Sequence, residues 1–336
     1  MGQLKRFFTI LGSTVLALVV VLALVLFTSI TDPYLTSRPQ PATSYAAATA
    51  GIQAVAASEA AMDLQPEGHS IAMLAGSPAA KAVVIFHGYT VLPEQFRLIG
   101  AAYLAQGYNV WIPRLPRHGM ADRMTDEFSK ITATELRDFV DASIDIGAGL
   151  GENLTVIGIS GGGSLSVWAG FERPEVDQTV LLTPLLHPLG YEEWQDRPLV
   201  RALRLSPVDI WNWWSDEEKE KDVQGYDYPR FSLKGIAGLL STFHWVDSQN
   251  KPPAHSTFTL VRNDGDPRID GAFNERFLTR LVPGDQLKVV VIPASAGLGH
   301  DLVSWQRHSE NYPRLSESYA YLSQALGIPI PDPKAG

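Results

Sequence analysis

The pentapeptide Gly158-Ile159-Ser160-Gly161-Gly162 restricts the possible folds of this chain more than any other stretch. Before it, residues 154–159 form a short, continuous apolar run of the kind expected for a strand buried on both faces; after it, the sequence reads as a helix. Glycine on either side of a serine at a strand-to-helix turn indicates close approach of neighbouring chains. It also indicates a strained serine backbone that holds the hydroxyl out beyond the strand end. The serine opens the following helix, where free N–H groups and the helix dipole favour negative charge.

The same alternation extends along most of the chain. Strands are predicted at 81–87, 108–113, 179–182, 257–261 and 288–292, with amphipathic helices at 93–106 and around 272–281. Thr132 and Glu135 have capping-box spacing and open a helix running to about residue 147. Strands alternating with helices imply a mainly parallel sheet covered on both faces. Between residues 185 and about 250 the alternation stops. Trp194, Trp211, Trp213, Trp214 and Trp245 gather there with Pro198, Pro207 and Pro229, which reads as an inserted helical cap. The charged run 216–222 inside it reads as a solvated helix face.

The N-terminus has a different solvent. Lys5 and Arg6 precede an uncharged, mostly apolar run at 7–30, about 24 residues and enough for a helix to cross roughly 30 Å of hydrocarbon. The expected organisation is a cytoplasmic N-terminus at 1–6, a transmembrane anchor at 7–30, a linker and N-terminal helix at 31–67, and an extracytoplasmic catalytic domain at 68–336. The alternative is secretion after cleavage of the apolar segment as a signal peptide. Residues 31–43, rich in Pro, Ser and Thr, read as a spacer, and the Ala-rich stretch 44–62 as a helix.

Composition removes several classes of function. The net charge is −9 and no Lys/Arg-rich run lies in the globular part, so nucleic acid is not an expected partner. The absence of cysteine excludes a disulfide framework, a Cys-ligated metal site and a thiol nucleophile. No pair of histidines brackets a glutamate at helical spacing, and neither metal nor organic cofactor is implied.

A serine hydroxyl requires an adjacent base, itself oriented by a third group. Downstream of Ser160 the candidate bases are His187, His244, His255, His300 and His308. His300 is favoured because it follows the last predicted strand through the loop 294–299, and His308 is its rival. The orienting acid belongs past the strand ending near Val261, where Asp266 is favoured over Asp264 and Asp270. An oxyanion requires two backbone N–H donors; Gly161, after the nucleophile, supplies one and Tyr89 in His87-Gly88-Tyr89-Thr90 the other. His118 precedes the serine and reads as structural.

Together, His87-Gly88-Tyr89-Thr90, the 113–119 loop, the Ser160 turn, Asp266-Pro267 and Gly299-His300-Asp301 resemble the α/β-hydrolase superfamily. The narrower resemblance is to its bacterial carboxylesterase, monoacylglycerol lipase and serine-aminopeptidase-like branch, from about residue 80 onward. The resemblance implies Ser160 as nucleophile, Asp266 as acid, His300 as base, and Tyr89 and Gly161 as oxyanion donors. It implies hydrolysis of a small-molecule acyl ester through an acyl-enzyme, with a peptidase or amidase as the alternative and a non-catalytic binding protein as a third reading. Two positions depart from the family pattern: Arg117 and Asn263 stand where glycine is common. The cap tryptophans and Phe243 are candidates for an acyl pocket.

Overall fold

The protein is described here by a computed structural model covering residues 2–214, 227–307, 309–332 and 334. Seven strands form one sheet: β1 (Ile71–Met73), β2 (Ala79–Phe86), β3 (Asn109–Ile112), β4 (Gly151–Ile159), β5 (Val176–Leu182), β8 (Thr257–Asn263) and β9 (Leu287–Ile292). Their spatial order is β1-β3-β2-β4-β5-β8-β9, with every neighbouring pair parallel except β1 with β3. Among the described residues the α-helices are α1 (Gly2–Phe27), α2 (Tyr45–Ala60), α3 (Arg97–Ala105), α4 (Ala133–Ala148), α5 (Ser160–Glu172), α6 (Glu193–Leu205), α7 (Leu233–Gln249), α8 (Gly271–Leu281) and α9 (Leu315–Leu326).

Alternation of side chains along the strands divides the core in two. Val84, Phe86, Val156, Leu181 and Leu260 pack on one face with Leu136, Val140, Leu165, Trp168 and Leu239 from α4, α5 and α7. Their strand neighbours Val83, Ile85, Ile157, Val180 and Val261 pack on the other with Ile99, Tyr103, Tyr319 and Leu322 from α3 and α9. A strand buried on both faces has no polar position to spare, which is why these segments read as unbroken apolar runs. Thr132 caps α4 as expected, its hydroxyl accepting from the Glu135 N–H at 3.1 Å.

Three parts differ from the sequence reading. The edge strand β1 and the C-terminal helix α9 were not expected; β1 has only three residues, too few to display a period. The insertion is helical through α6 and α7, but also holds an antiparallel two-stranded ladder, β6 (Trp211–Trp213) with β7 (Arg230–Ser232). The predicted spacer is strapped to the body. Leu35 is fully buried and its carbonyl accepts from Trp168 Nε1 at 3.0 Å, while the N–H groups of Arg38 and Gln40 donate to Asp141 and Asp145 of α4. Those carboxylates also meet the buried Arg173 guanidinium at 3.0 and 2.6 Å. Backbone donors satisfied in this way cost little to bury, so a segment with a loop-like composition becomes part of the fold. The charged run 216–222 lies outside the described residues.

Candidate active site

The C-terminal edge of the sheet concentrates backbone strain. Among the described residues, five non-glycines have positive φ, and four of them, Thr90, Arg117, Ser160 and Thr183, follow the ends of β2, β3, β4 and β5. Ser160 has φ of +53°, a conformation that L residues with a side chain adopt only when their surroundings impose it. Those surroundings are visible at the flanking glycines. A Cβ on Gly158 would lie 2.2 Å from the Gly162 carbonyl oxygen, and one on Gly162 would lie 2.2 Å from that of Phe86. The serine is therefore turned out of the sheet by contacts that tolerate no methyl group on either side.

Ser160 and His300 line one cavity of about 280 Å³, together with Gly88, Tyr89, Ile159 and Trp214. The structure brings together His300 and Asp266: imidazole Nδ1 lies 2.7 Å from Asp266 Oδ2, with both side chains buried. The other oxygen of Asp266 accepts from the N–H groups of Arg268 and Ile269 at 2.8 and 3.1 Å, which fixes the orientation of the carboxylate. Asp264 points elsewhere; it is 41% exposed and paired with Arg262 at 2.8 Å. Asp270 caps α8 through the Phe273 N–H. Of the remaining candidate bases, His187 pairs with Asp196, His244 is buried on α7 and His255 lies 3.7 Å from Asp177; His308 lies outside the described residues.

The two predicted oxyanion donors are neighbours. A Cβ on Gly161 would sit 3.4 Å from Tyr89 N, so the two backbone segments face each other beside Ser160. Buried histidines hold the Tyr89 loop. His87 Nε2 accepts from the Leu115 N–H at 3.0 Å, leaving Nδ1 to donate to the Gly88 carbonyl at 2.9 Å. His118 Nε2 accepts from the Thr90 N–H at 3.3 Å and Nδ1 donates to the Pro116 carbonyl at 2.9 Å. Burial pushes the His118 imidazole down to about 3 and that of His87 well below its ordinary value, so both stay neutral and keep these tautomers. Gln95 adds two ties: its Oε1 accepts from the Gly88 N–H and its Nε2 donates to Asp301.

The two departures from the family pattern have a physical account. Arg117 takes the left-handed conformation (φ +68°) that glycine would adopt freely, and its guanidinium is held by Glu127 at 2.8 Å and Glu135 at 2.9 Å. Asn263 donates to the carbonyls of Leu298 and Gly299, both at 3.0 Å, and so pins the loop that presents His300. Asn311 does the same from the other side, accepting from the Gly299 N–H at 2.7 Å and donating to the Asp301 carbonyl at 2.8 Å. Sequence reasoning missed Gln95 and Asn311; a lone amide side chain far from the motifs carries no signal of its own.

Of the aromatic residues expected to line an acyl pocket, only Trp214 borders this cavity among the described residues. Its indole N–H donates to Thr90 Oγ1 at 2.8 Å, and the Arg268 guanidinium lies 5.0 Å from its ring. Phe243 packs instead against Phe273 and Phe277 and borders a separate cavity of about 270 Å³ between α6, α7 and α8. An insertion rich in aromatics has its own core to fill, and Phe243 serves that core.

The sequence pattern of the alpha/beta hydrolase family matches residues 83–312. The chain belongs to this family. A thermostable monoacylglycerol lipase of Bacillus sp. (strain H-257) is 31% identical over 98 residues, which are 28% of this chain and 36% of that enzyme. The match therefore spans about a third of the relative's length. Among solved structures, a metagenome-derived lipolytic enzyme from a study of LipS and LipT superposes with a TM-score of 0.56 at 19% identity, over 78% of this chain and 99% of that one. A monoacylglycerol lipase of Paleococcus ferrophilus gives 0.54 at 15% identity, covering 76% and 98% of the two chains. At these identities the structural matches establish the shared fold; lipases and esterases are among the hydrolases that carry it.

Proposed function

We propose that this hydrolase is a serine esterase that cleaves carboxylic esters of apolar acyl groups through an acyl-enzyme, held at a membrane by α1 with its catalytic domain on the extracytoplasmic side. The observation that carries the reading is the Asp266–His300 hydrogen bond of 2.7 Å, with His300 bordering the same cavity as a serine in a strained turn.

The chemistry follows from these positions. Asp266 accepts a hydrogen bond from the Nδ1–H of His300, which leaves Nε2 unprotonated as the basic nitrogen. Nε2 takes the Ser160 proton as Oγ attacks the ester carbonyl, and the resulting oxyanion accepts from the Tyr89 and Gly161 N–H groups. Each such donor is worth about 3 to 4 kcal/mol of transition-state stabilisation. Nε2 then protonates the departing alcohol, and the cycle repeats with water in its place to free the acid. The cavity supports an ester with two unlike ends, since Val91, Ile159 and Trp214 border it along with Arg268, Asp301 and Glu310. A monoacylglycerol has that character, and the Bacillus relative is named for this substrate.

The full chain in detergent, assayed with p-nitrophenyl esters of increasing acyl length beside its Ser160→Ala form, tests the reading. Serine-dependent turnover with a maximum at one acyl length is expected. Turnover that survives the substitution overturns it.

A further inference from the structure

Helix α6 has apolar residues on two sides. At about 100° per residue, Val200 and Leu203 fall on the side that packs into the core, beside the buried Asp196 and Arg201. In a water-soluble domain that one apolar side would suffice. Here Trp194, Pro198, Leu199, Ala202 and Leu205 form a second one that faces outward, with Trp194 67% and Leu205 50% exposed. Val208, 70% exposed, and Ile210 continue the apolar surface beyond the helix.

The buried charges are occupied, and their partners identify what lies beside the helix. Arg201 forms a two-pronged pair with Asp32, Nε to Oδ1 at 2.8 Å and Nη2 to Oδ2 at 2.6 Å, and Nη1 donates to the Leu26 carbonyl at 2.9 Å. Arg204 donates to the Thr31 carbonyl at 2.7 Å. Leu26 belongs to the last turn of α1, the one helix among the described residues that is long and apolar enough to cross a membrane, at 23 residues and a mean hydropathy of 2.9. Both arginines thus grip the point where this helix ends, and Arg201 meets one of the last carbonyls, at the negative end of its dipole.

We infer that α6 is clamped to the exit of the membrane helix by Arg201, Arg204 and Asp32, and that its outward apolar side, with Val208, rests in the surface of the same bilayer. The inference depends on α1 being a membrane anchor. Contact with α1 brings α6 within reach of the lipid that surrounds it, and a helix with an apolar outer stripe and a cationic inner side suits the boundary between acyl chains and headgroups. Ile30, just past the end of α1, is also exposed and adds an apolar group near the helix exit.

The chain lacks cysteine, so single cysteines report position without background. Full-length Ala202→Cys, Val208→Cys, Leu18→Cys and Gln106→Cys proteins, each carrying an environment-sensitive fluorophore, are placed in phosphatidylcholine nanodiscs with or without doxyl-labelled lipid. Gln106 ends α3 on the opposite face of the sheet and serves as the aqueous reference. Doxyl quenching at residues 202 and 208 of at least twice the reference value is expected, together with strong quenching at residue 18. Asp32→Ala is expected to lower quenching at 202 and leave that at 18 unchanged. Quenching at 18 with reference-level values at 202 and 208 overturns the inference while the anchor stands. Shielding of 202 from iodide without lipid quenching overturns it in favour of a second copy on that face. No quenching at 18 overturns the anchor and the inference together.

Discussion

The edge of the sheet around Ser160 and the outer side of α6 are organised by opposite rules. At the sheet edge polar side chains act as ties and apolar strands lie behind them: His87, His118, Gln95, Asn263 and Asn311 each bind backbone groups of the loops that carry the candidate residues. On α6 the charged Asp196 and Arg201 are buried while the apolar Trp194, Leu199 and Leu205 are exposed. A rim that must hold several atoms in register gains from rigid polar ties, whereas a surface that meets lipid gains from apolar exposure. On the proposed function the first region serves chemistry and the second location, and substitutions should separate the two effects.

The largest effect belongs to the sheet edge. Asp266→Asn is expected to lower kcat by about 10⁴-fold, because the amide stabilises the wrong imidazole tautomer. Asp264→Asn should leave it unchanged, since that carboxylate serves Arg262 at the surface. Steady-state kinetics on one soluble ester check both; an equal loss in the two variants erases the distinction between them.

Next is Asn263→Ala. It frees the Leu298 and Gly299 carbonyls and loosens the His300 loop, with an expected loss of about 10²-fold in kcat from misplacement of the base. Little change in KM marks it as a positioning residue, and an unchanged kcat would remove it from the account. Paired Leu205→Glu and Val208→Glu substitutions act on the other region. Turnover of a long-chain monoacylglycerol in vesicles should fall about tenfold, the equivalent of roughly 1.4 kcal/mol of lost partitioning. Turnover of a soluble short-chain ester should not change. A parallel loss on both substrates would place α6 in the chemistry instead.

The last effect is on stability rather than turnover: acid sensitivity, shared by both regions. His118 at the sheet edge and His244 under the insertion are held neutral by burial, each pushed down to about 3. The unfolded chain binds these protons from about pH 6.5 downward while the folded chain does not, so folding stability falls as pH drops toward 3. Each group contributes about 1.4 kcal/mol per pH unit within that window. Thermal melts of wild type and His244→Gln between pH 4 and 7 measure the slope, which the variant should reduce.

How far the sequence was legible follows the same division. The apolar runs behind Ser160 identified themselves as strands because they are short, β-branched and bounded by turn residues, and Gly158 and Gly162 marked the turn, where no side chain fits. The acid was narrowed to Asp264, Asp266 and Asp270. Only the fold separates them, since all three lie beyond one strand end and differ in which partner each one meets. The insertion was harder to read. Its aromatics were matched to an acyl pocket, yet Phe243 fills a local core and Trp194 faces outward. The 31–43 segment looked like a spacer because its anchoring bonds come from backbone N–H groups, which leave no mark on composition.

The central claim is that the strained Ser160 is a nucleophile activated by the His300–Asp266 pair. The most direct measurement is the stoichiometry and site of fluorophosphonate labelling, read by peptide mass spectrometry on the full chain and its His300→Ala variant. The account predicts one label per chain on Ser160, with labelling of the variant slowed at least about 10³-fold. Absence of a label on a folded protein, or a label on another serine, would contradict it.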